Sequence, residues 1–333
     1  MIDFKKLSEI ILNNNSFLIT THVNPDADAI GSEIAFANIL QLLRKEFFII
    51  NHSYTPYNLL FLDKGNKIQK YNSDKHNEIF DKIDVIVCLD FNRSDRIVSM
   101  REKFLSSTKT KIVIDHHTDP ESFCDHYFID QAFSSTGEII YHLIKRTSIV
   151  KMNYELAYPI YAAIMTDTGS FRFERTSSDL HLIAAELLNQ GVVPGEVYDK
   201  IFDQSDFGKI KLLGNALTSL KLFGYTEKIG YMIITQNDFK NYDALESDTD
   251  GFVNFALSIK GVEVGLLFIE LKDGFKVSFR SKGDLPVNKL AQEWGGGGHL
   301  NAAGVRLNDK LSDEQVYKIL YRTEKYLLNG KED

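Results

Sequence analysis

The sequence predicts an α/β protein, with an N-terminal doubly wound parallel sheet followed by a smaller C-terminal α/β domain. Three observations lead there. Short apolar runs rich in β-branched residues alternate with helix-period stretches through the first half, the pattern of parallel strands buried on both faces. Polar residues able to do chemistry stand directly after those runs, at the strand ends where open parallel sheets bind ligands. From about residue 225 the pattern changes to strands joined by a hairpin turn at Asp273-Gly274.

Taken in order, residues 17–21 read as the first strand. Residues 28–43 read as a helix with Ile30, Ile34, Ala37 and Leu40 or Gln41 along one face, and 47–50, 85–89 and 111–114 as further strands. A helical run at 154–166 meets its stop at Asp167-Thr168-Gly169. Residues 179–190 and 196–222 read as helices on either side of Gly191-Val-Val-Pro-Gly195. In the second half, 229–235 reads as a strand and helices follow to about 260. Residues 262–271 and 275–280 then form the hairpin. A helix at 288–294 leads into four glycines, 295–298, and His299; a turn and strand follow at 301–307 and a last helix at 312–328. The expected domains are therefore 1–190, a helical linker at 191–222, and 223–333, in line with a chain too long for one typical domain.

Composition narrows the function classes. Hydrophobic residues at 44% and charged residues at 25% suit a soluble globular protein with a full core. No apolar run approaches a membrane span, and Met1-Ile2-Asp3-Phe4-Lys5-Lys6 lacks the order of a signal peptide. Cys88 lies in an apolar run and Cys124 in a loop-like stretch, so two reduced thiols in a cytoplasmic protein is the simplest expectation. The net charge of −8 argues against coating long nucleic acid through its phosphates. It leaves room for a small phosphorylated substrate. Residues 272–306 stand apart, with six Lys or Arg against three acids.

The chemistry concentrates in two strings, His22-Val-Asn-Pro-Asp26-Ala-Asp28 and Asp115-His116-His117, with two lone acids, Asp90 and Asp167, each ending an apolar run. Four carboxylates and two imidazoles suffice for two divalent metals, and their charge of −4 would be cancelled by two such ions. Paired metals a few ångströms apart can activate water and clamp an in-line displacement at phosphorus. Each piece also has a plainer reading. Asp28 could be only the N-cap of the 28–43 helix and His22 a surface residue. Asp-His-His could be a satisfied turn, and Asp90 and Asp167 ordinary element ends. Imidazole from His116 suits Mn²⁺ or Zn²⁺, and four carboxylates shift the preference to the harder Mn²⁺. His117 would then be left to face substrate.

The glycine run with His299 is either a flexible loop or a backbone cradle for an anion, with Arg280, Ser281 and Asn288 as further donors. The other histidines take the bland reading: His142 and His181 on helices, His52, His76 and His126 in polar loops. Asp243, Glu246, Asp248 and Asp250 read as a solvated helix end.

Taken together, the string from His22 to Ser32, then Asp90, Asp115-His116-His117, Asp167-Thr168-Gly169 and Gly-Gly-Gly-Gly-His299-Leu-Asn-Ala-Ala-Gly304 resemble the DHH–DHHA1 phosphoesterases, in order and in spacing, across nearly the whole chain. Ala27 stands where many relatives have Gly, a small departure. The resemblance implies a DHH metal-binding domain and a DHHA1 substrate-binding domain. It implies that His22, Asp26, Asp28, Asp90, His116 and Asp167 hold two Mn²⁺. His22 and Asp26 would serve one ion, Asp28, His116 and Asp167 the other, and Asp90 would bridge. It also gives His117 to the scissile phosphate, and Arg280, Ser281, Asn288, Gly297, Gly298 and His299 to the rest of the nucleotide.

Within the family the chain looks like the stand-alone oligoribonuclease (nano-RNase) and adenosine 3′,5′-bisphosphate (pAp) phosphatase type. The sensor and membrane segments of membrane-bound cyclic-dinucleotide phosphodiesterases and the extra domains of RecJ-type exonucleases are missing from this sequence. Inorganic pyrophosphatases share the metal half alone. The expectation is thus a cytoplasmic, Mn²⁺-dependent phosphoesterase acting on very short RNA and pAp in a cleft between domains, with a homodimer left open. The rivals are a cyclic- or linear-dinucleotide phosphodiesterase on the same residues and a non-catalytic nucleotide-binding module. Loss of a ligand would favour the last, and all six are present.

Overall fold

The computed structural model describes residues 1–329, and the chain divides into two compact units, Met1–Gln204 and Ser205–Asp333. The first unit opens with α1 (Phe4–Asn13), β1 (Ser16–Thr20), α2 (Ala27–Leu42), β2 (Glu46–Asn51), β3 (Ile68–Lys70), α3 (Ser73–Lys82) and β4 (Val85–Leu89). It continues through a 3-10 turn (Ser94–Met100), α4 (Arg101–Ser106), β5 (Thr110–Asp115), β6 (His126–Ile129), α5 (Thr136–Thr147), α6 (Tyr154–Asp167), α7 (Ser178–Asn189) and α8 (Pro194–Phe202).

Its six strands form one parallel sheet in the order β3-β2-β1-β4-β5-β6. The chain winds outward one way from β1 and the other way from β4, so the strand order reverses between them. The carboxyl edge at that point opens a crevice, the usual ligand position in such sheets. Strands β1 and β4 are buried along their whole length, which explains their uninterrupted apolar sequences. Helix α2 is buried almost all round and is correspondingly apolar on every face (Ala29, Ile30, Ile34, Ala35, Phe36, Ile39, Leu40). It packs with α5 and α6 over one face of the sheet, in a core that runs from Ile2 to Ile201. Phe80, Ile97, Phe104 and Val113 form the core on the other face.

The second unit comprises α9 (Phe207–Thr218), β7 (Lys221–Phe223), β8 (Ile229–Ile234), α10 (Gln236–Tyr242), α11 (Val253–Leu257), β9 (Val264–Leu271), β10 (Gly274–Ser281), α12 (Val287–Gln292), β11 (Gly297–His299), β12 (Ala302–Leu307) and α13 (Asp313–Asn329). Its sheet runs β11-β12-β10-β9-β8-β7, antiparallel except for the β8–β9 pair.

Several local expectations need correction. The stretch 196–222 is not one helix but α8, α9 and strand β7, with a break at Asp203–Asp206. Asp28 is not the cap of its helix. Asp26 is, its side chain accepting from the backbone N–H of Asp28 and Ala29, which leaves Asp28 in the first turn. His76 is a buried residue of α3, hydrogen-bonded at both ring nitrogens, and His126 begins β6; neither sits in a loop. The acidic run near 246 is not simply solvated, because Glu246 pairs with Arg306 and Lys276. Nor is the four-glycine run a free loop: Gly297 and Gly298 pair with Gly304 and Ala303 as strand β11.

Candidate metal centre

Three segments meet where the sheet order reverses. His22 follows β1, Asp90 follows β4, and Asp115-His116 closes β5. Asp90 adopts φ = +66°, a left-handed conformation uncommon outside glycine, and its N–H bonds the carbonyl of Ile114. Helices α2 and α6 add their ends: Asp26 and Asp28 at the start of α2, Asp167 at the close of α6.

The candidate ligand atoms form three groups, each with its atoms within 4.8 Å of one another: Asp90, Asp115, His116 and His117 make one, and two more gather the other side chains. These two are His22, Asp26 and Asp90, and Asp28, His116 and Asp167. Asp90 reaches both: its Oδ2 is 3.3 Å from His22 Nε2 and its Oδ1 is 3.5 Å from His116 Nε2. His116 Nε2 is also 3.1 Å from Asp167 Oδ2 and 3.6 Å from Asp28 Oδ2. Two of these buried atoms, Asp90 Oδ2 and His116 Nε2, have no hydrogen-bond partner. Buried polar atoms are nearly always satisfied, so two orphans facing each other's groups fit a ligand that both coordinate. The donor set of carboxylates and imidazoles suits a pair of divalent ions. The residues present therefore fit the metals.

Burial and crowding set the electrostatics. Burial, then the charges of Asp90 and Asp167, push the Asp26 carboxyl up to about 6, even though its residue reaches solvent. The same causes raise fully buried Asp28 well above the carboxylate range. Burial works against charge on Asp90 as well, but His116 and His22 override it and hold that group well below its ordinary value. Burial also opposes the imidazolium of His22, yet the Asp90 carboxylate 3.3 Å away lifts it to about 9. His116 rises to about 11 against burial, through Asp167 and Asp90. Burial, with the charges of Asp63 and Asp90 adding to it, drives Glu33 up to about 8, despite a 2.8 Å hydrogen bond from Asn51.

The signs combine to a testable pH dependence. His22, Asp26 and Glu33 all have folded-state values above their unfolded ones. Each therefore contributes stability that is full below the unfolded pKa and lost as pH rises through the folded value. Metal-free protein should lose thermal stability steadily between pH 5 and 9, through 6 for Asp26, 8 for Glu33 and 9 for His22. Saturating metal should flatten the slope, because it neutralises the same carboxylates. A melting temperature in chelator that stays level or climbs over that range would contradict these electrostatics.

The sequence reading did not single out the groups that hold the cluster in place. Helix α5 directs its N-terminus at it. The N–H groups of Thr136 and Gly137 donate to the two oxygens of Asp28 (2.8 and 2.9 Å), and Thr136 Oγ1 donates to Asp90 Oδ1 (3.0 Å). Its signal was Ser134-Ser135-Thr136-Gly137-Glu138 ahead of an apolar run, with Ser135 as the N-cap. Asp115 is also more than a neighbour. Its Oδ1 lies 2.7 Å from His117 Nδ1, fixing the imidazole of a half-exposed residue beside Asp90. Against burial, Asp115 and Asp90 hold His117 above its ordinary value. Arg96 and Arg175 approach the Nδ1 atoms of His22 and His116, at 3.4 and 3.3 Å.

In the second unit, Arg280 is a half-buried residue of β10 whose guanidinium is lowered from its ordinary value by burial, against the favourable charge of Asp250. Ser281 Oγ donates to the Leu285 carbonyl and accepts from Asn301 Nδ2. Asn288 lies on α12. Register sets Arg280 opposite Ala302 and Ala302 opposite His299, a row across β10, β12 and β11; the His299 side chain lies outside the described residues. No helix among the described residues is long and apolar enough to cross a membrane.

Residues 16–165 match the DHH family, N-terminal domain, and residues 232–329 match the DHHA1 domain. The bifunctional oligoribonuclease and PAP phosphatase NrnA of Thermus thermophilus is 30% identical over 91% of this chain and 87% of that protein. Its Bacillus subtilis namesake is 29% identical over 88% and 90%. A crystal structure of an exopolyphosphatase-related protein from Bacteroides fragilis is 32% identical, with a TM-score of 0.91 over 97% of this chain and 96% of that one. With both domains matched and relatives of this identity along almost its full length, the chain belongs to the DHH–DHHA1 family of phosphoesterases.

Proposed function

We propose that this phosphoesterase is a Mn²⁺-dependent enzyme that hydrolyses RNAs of two to a few nucleotides to mononucleotides and removes a phosphate from pAp. The observation that carries the reading is the pair of ligand groups joined by Asp90, with unpartnered buried atoms on Asp90 and His116. The substrates are suggested by the relatives whose names include oligoribonuclease and PAP phosphatase. His22, Asp26 and Asp90 would hold one ion, and Asp28, His116, Asp167 and Asp90 the other. When bound, the ions supply Lewis acidity and an activated water for attack at phosphorus.

The protein's own groups then do the rest. The α5 N-terminus holds the Asp28 carboxylate, and Thr136 holds Asp90, so neither needs to reorganise as charge develops. Asp115 accepts from His117 Nδ1–H and, with Asp90, favours the protonated ring, whose Nε2–H would then donate to a phosphoryl oxygen. Arg280, Ser281, Asn288, Gly297, Gly298 and His299 are assigned to the nucleotide's remaining phosphate and base.

Charge limits substrate length. Residues 272–306 carry +3, and taking them from −8 leaves −11 on the rest of the chain. Additional phosphates on a long RNA would meet repulsion in place of a basic track. With Mn²⁺, kcat/KM for an RNA dinucleotide should exceed that for a 24-mer by at least about tenfold at near-physiological salt. Exhaustive chelation should abolish both activities. A panel of RNA dinucleotide, pAp, cyclic dinucleotide and 24-mer tests the reading. Preference for the cyclic dinucleotide would replace it with a dinucleotide phosphodiesterase, and equal turnover of the 24-mer would replace it with a longer-range exonuclease.

A further inference from the structure

Beside the metal loops, a polar cavity of about 720 Å³ opens among residues that follow β2 and β3, on the carboxyl edge of the same sheet. His52, Lys70, Asn72, Ser99, Glu102 and Lys103 are among its walls. Chain neighbours of two of these, His52 and Ser99, are tied to the loop that carries His22. The N–H of Asn24 donates to Ser53 Oγ (3.0 Å), next to His52, and the N–H of Val23 donates to the carbonyl of Arg96 (2.8 Å), three residues before Ser99.

The walls carry donors and one cation that has no carboxylate partner among the described residues. Ser99 N–H lies 3.3 Å and Ser99 Oγ 2.7 Å from His52 Nδ1, so that nitrogen accepts and the proton of the neutral ring sits on Nε2. Lys103 is held by Asp81 at 2.8 Å, whereas no carboxylate pairs with Lys70 among the described residues. Lys70 Nζ instead lies 4.3 Å from the ring centroid of Tyr54, a side chain left 74% exposed. The segment presenting Ser99 is strained: Val98 adopts φ = +36°, a conformation that its branched side chain resists. Strain of this kind is kept where surrounding contacts over-determine it, and here it delivers Ser99 to His52.

We propose that this cavity and the Tyr54 ring form an additional nucleotide subsite. Tyr54 stacks a base, Lys70 takes the phosphate, and His52 with Ser99 supplies hydrogen bonds to the ribose phosphate. A stacked aromatic beside a lone cation accepts any base, since every base has a π-face. The subsite would be filled by a trinucleotide and left empty by a dinucleotide, giving the first unit a means of handling RNAs longer than two residues. The inference rests on the short-RNA reading above.

The test compares wild type with Tyr54→Ala and Lys70→Ala, both exposed positions, on ApApA and ApA. The trinucleotide-to-dinucleotide ratio of kcat/KM should fall about tenfold in each variant. In a second arm, anisotropy of 3′-fluorescein-labelled ApApA in chelator should show binding weakened by a similar factor, with no cleavage required. An unchanged ratio with unchanged binding overturns the subsite. Wild type that cleaves neither RNA overturns the short-RNA reading by itself, and the binding arm then still decides the subsite, with no binding by wild type counting against it.

Discussion

Asp90→Ala should lower kcat on any substrate of this enzyme by on the order of 10³-fold, the range seen when one group central to charge stabilisation is removed. The reason is positional. Among the described residues, Asp90 alone offers one oxygen to each ligand group, 3.3 Å from His22 Nε2 and 3.5 Å from His116 Nε2. Without it the two sets lose their common member, and two buried imidazoles lose the carboxylate that lies between them. Elemental analysis should show less than two metals per chain. Asp90→Asn is the sharper variant: it keeps the shape and the contact with Thr136 Oγ1 but removes the charge. It should fold with a melting temperature near that of wild type and still lose most activity. An Asp90→Ala enzyme within tenfold of wild-type kcat, at full metal content, would mean that the bridge has been placed on the wrong residue.

How far the sequence carries the reader depends on what kind of group acts. The six residues that converge in the two ligand groups were all named from the sequence, His22, Asp26, Asp28 and His116 by their short strings, but Asp90 and Asp167 only in company with those strings, because strand and helix ends carry Asp routinely. The long buried elements, α2, β1, β4 and β5, were legible because burial on both faces leaves an unbroken apolar trace. Short edge elements were not. Strands β3 (Ile-Gln-Lys) and β6 (His-Tyr-Phe-Ile) are held by the neighbouring strand more than by their own composition. The least legible contributions come from the backbone. The N–H groups of Thr136 and Gly137 grip Asp28 from more than a hundred residues away, and no residue type advertises such a donor. Asp115 was overlooked differently: its string drew attention to the two histidines, and only the geometry shows the aspartate holding one of them. His52 took only the bland reading of a polar-loop residue because its partner, Ser99, is distant in sequence.

Packing among the helices behind the cluster yields the second large effect. A Cβ on Gly31 of α2 would lie 2.6 Å from the Pro159 carbonyl and 3.2 Å from Ala163 Cβ, both on α6. A Cβ on Gly137 of α5 would lie 2.5 Å from the same Ala163 Cβ. Three helices thus close on Ala163 only because two of them present glycine there. Asp28 lies three residues before Gly31 and Asp167 four residues after Ala163, each one helical turn from the contact. Helix spacing therefore sets how near the two carboxylates come to His116 Nε2, now 3.6 and 3.1 Å away. Gly31→Val would drive α2 and α6 apart. Overpacking of this kind costs about 1–3 kcal/mol, or more where backbone must move. For a unit of this size that is a fall of roughly 2–12 °C in melting temperature. Metal affinity should weaken alongside, since the carboxylates separate even in molecules that stay folded. Isothermal titration with Mn²⁺ well below the new melting temperature separates that effect from unfolding, and Gly31→Ala should show a smaller version of both losses. Wild-type affinity and melting temperature in Gly31→Val would show that α2 can shift away from α6 without disturbing the centre, and the link between helix spacing and the ligand groups would have to be abandoned.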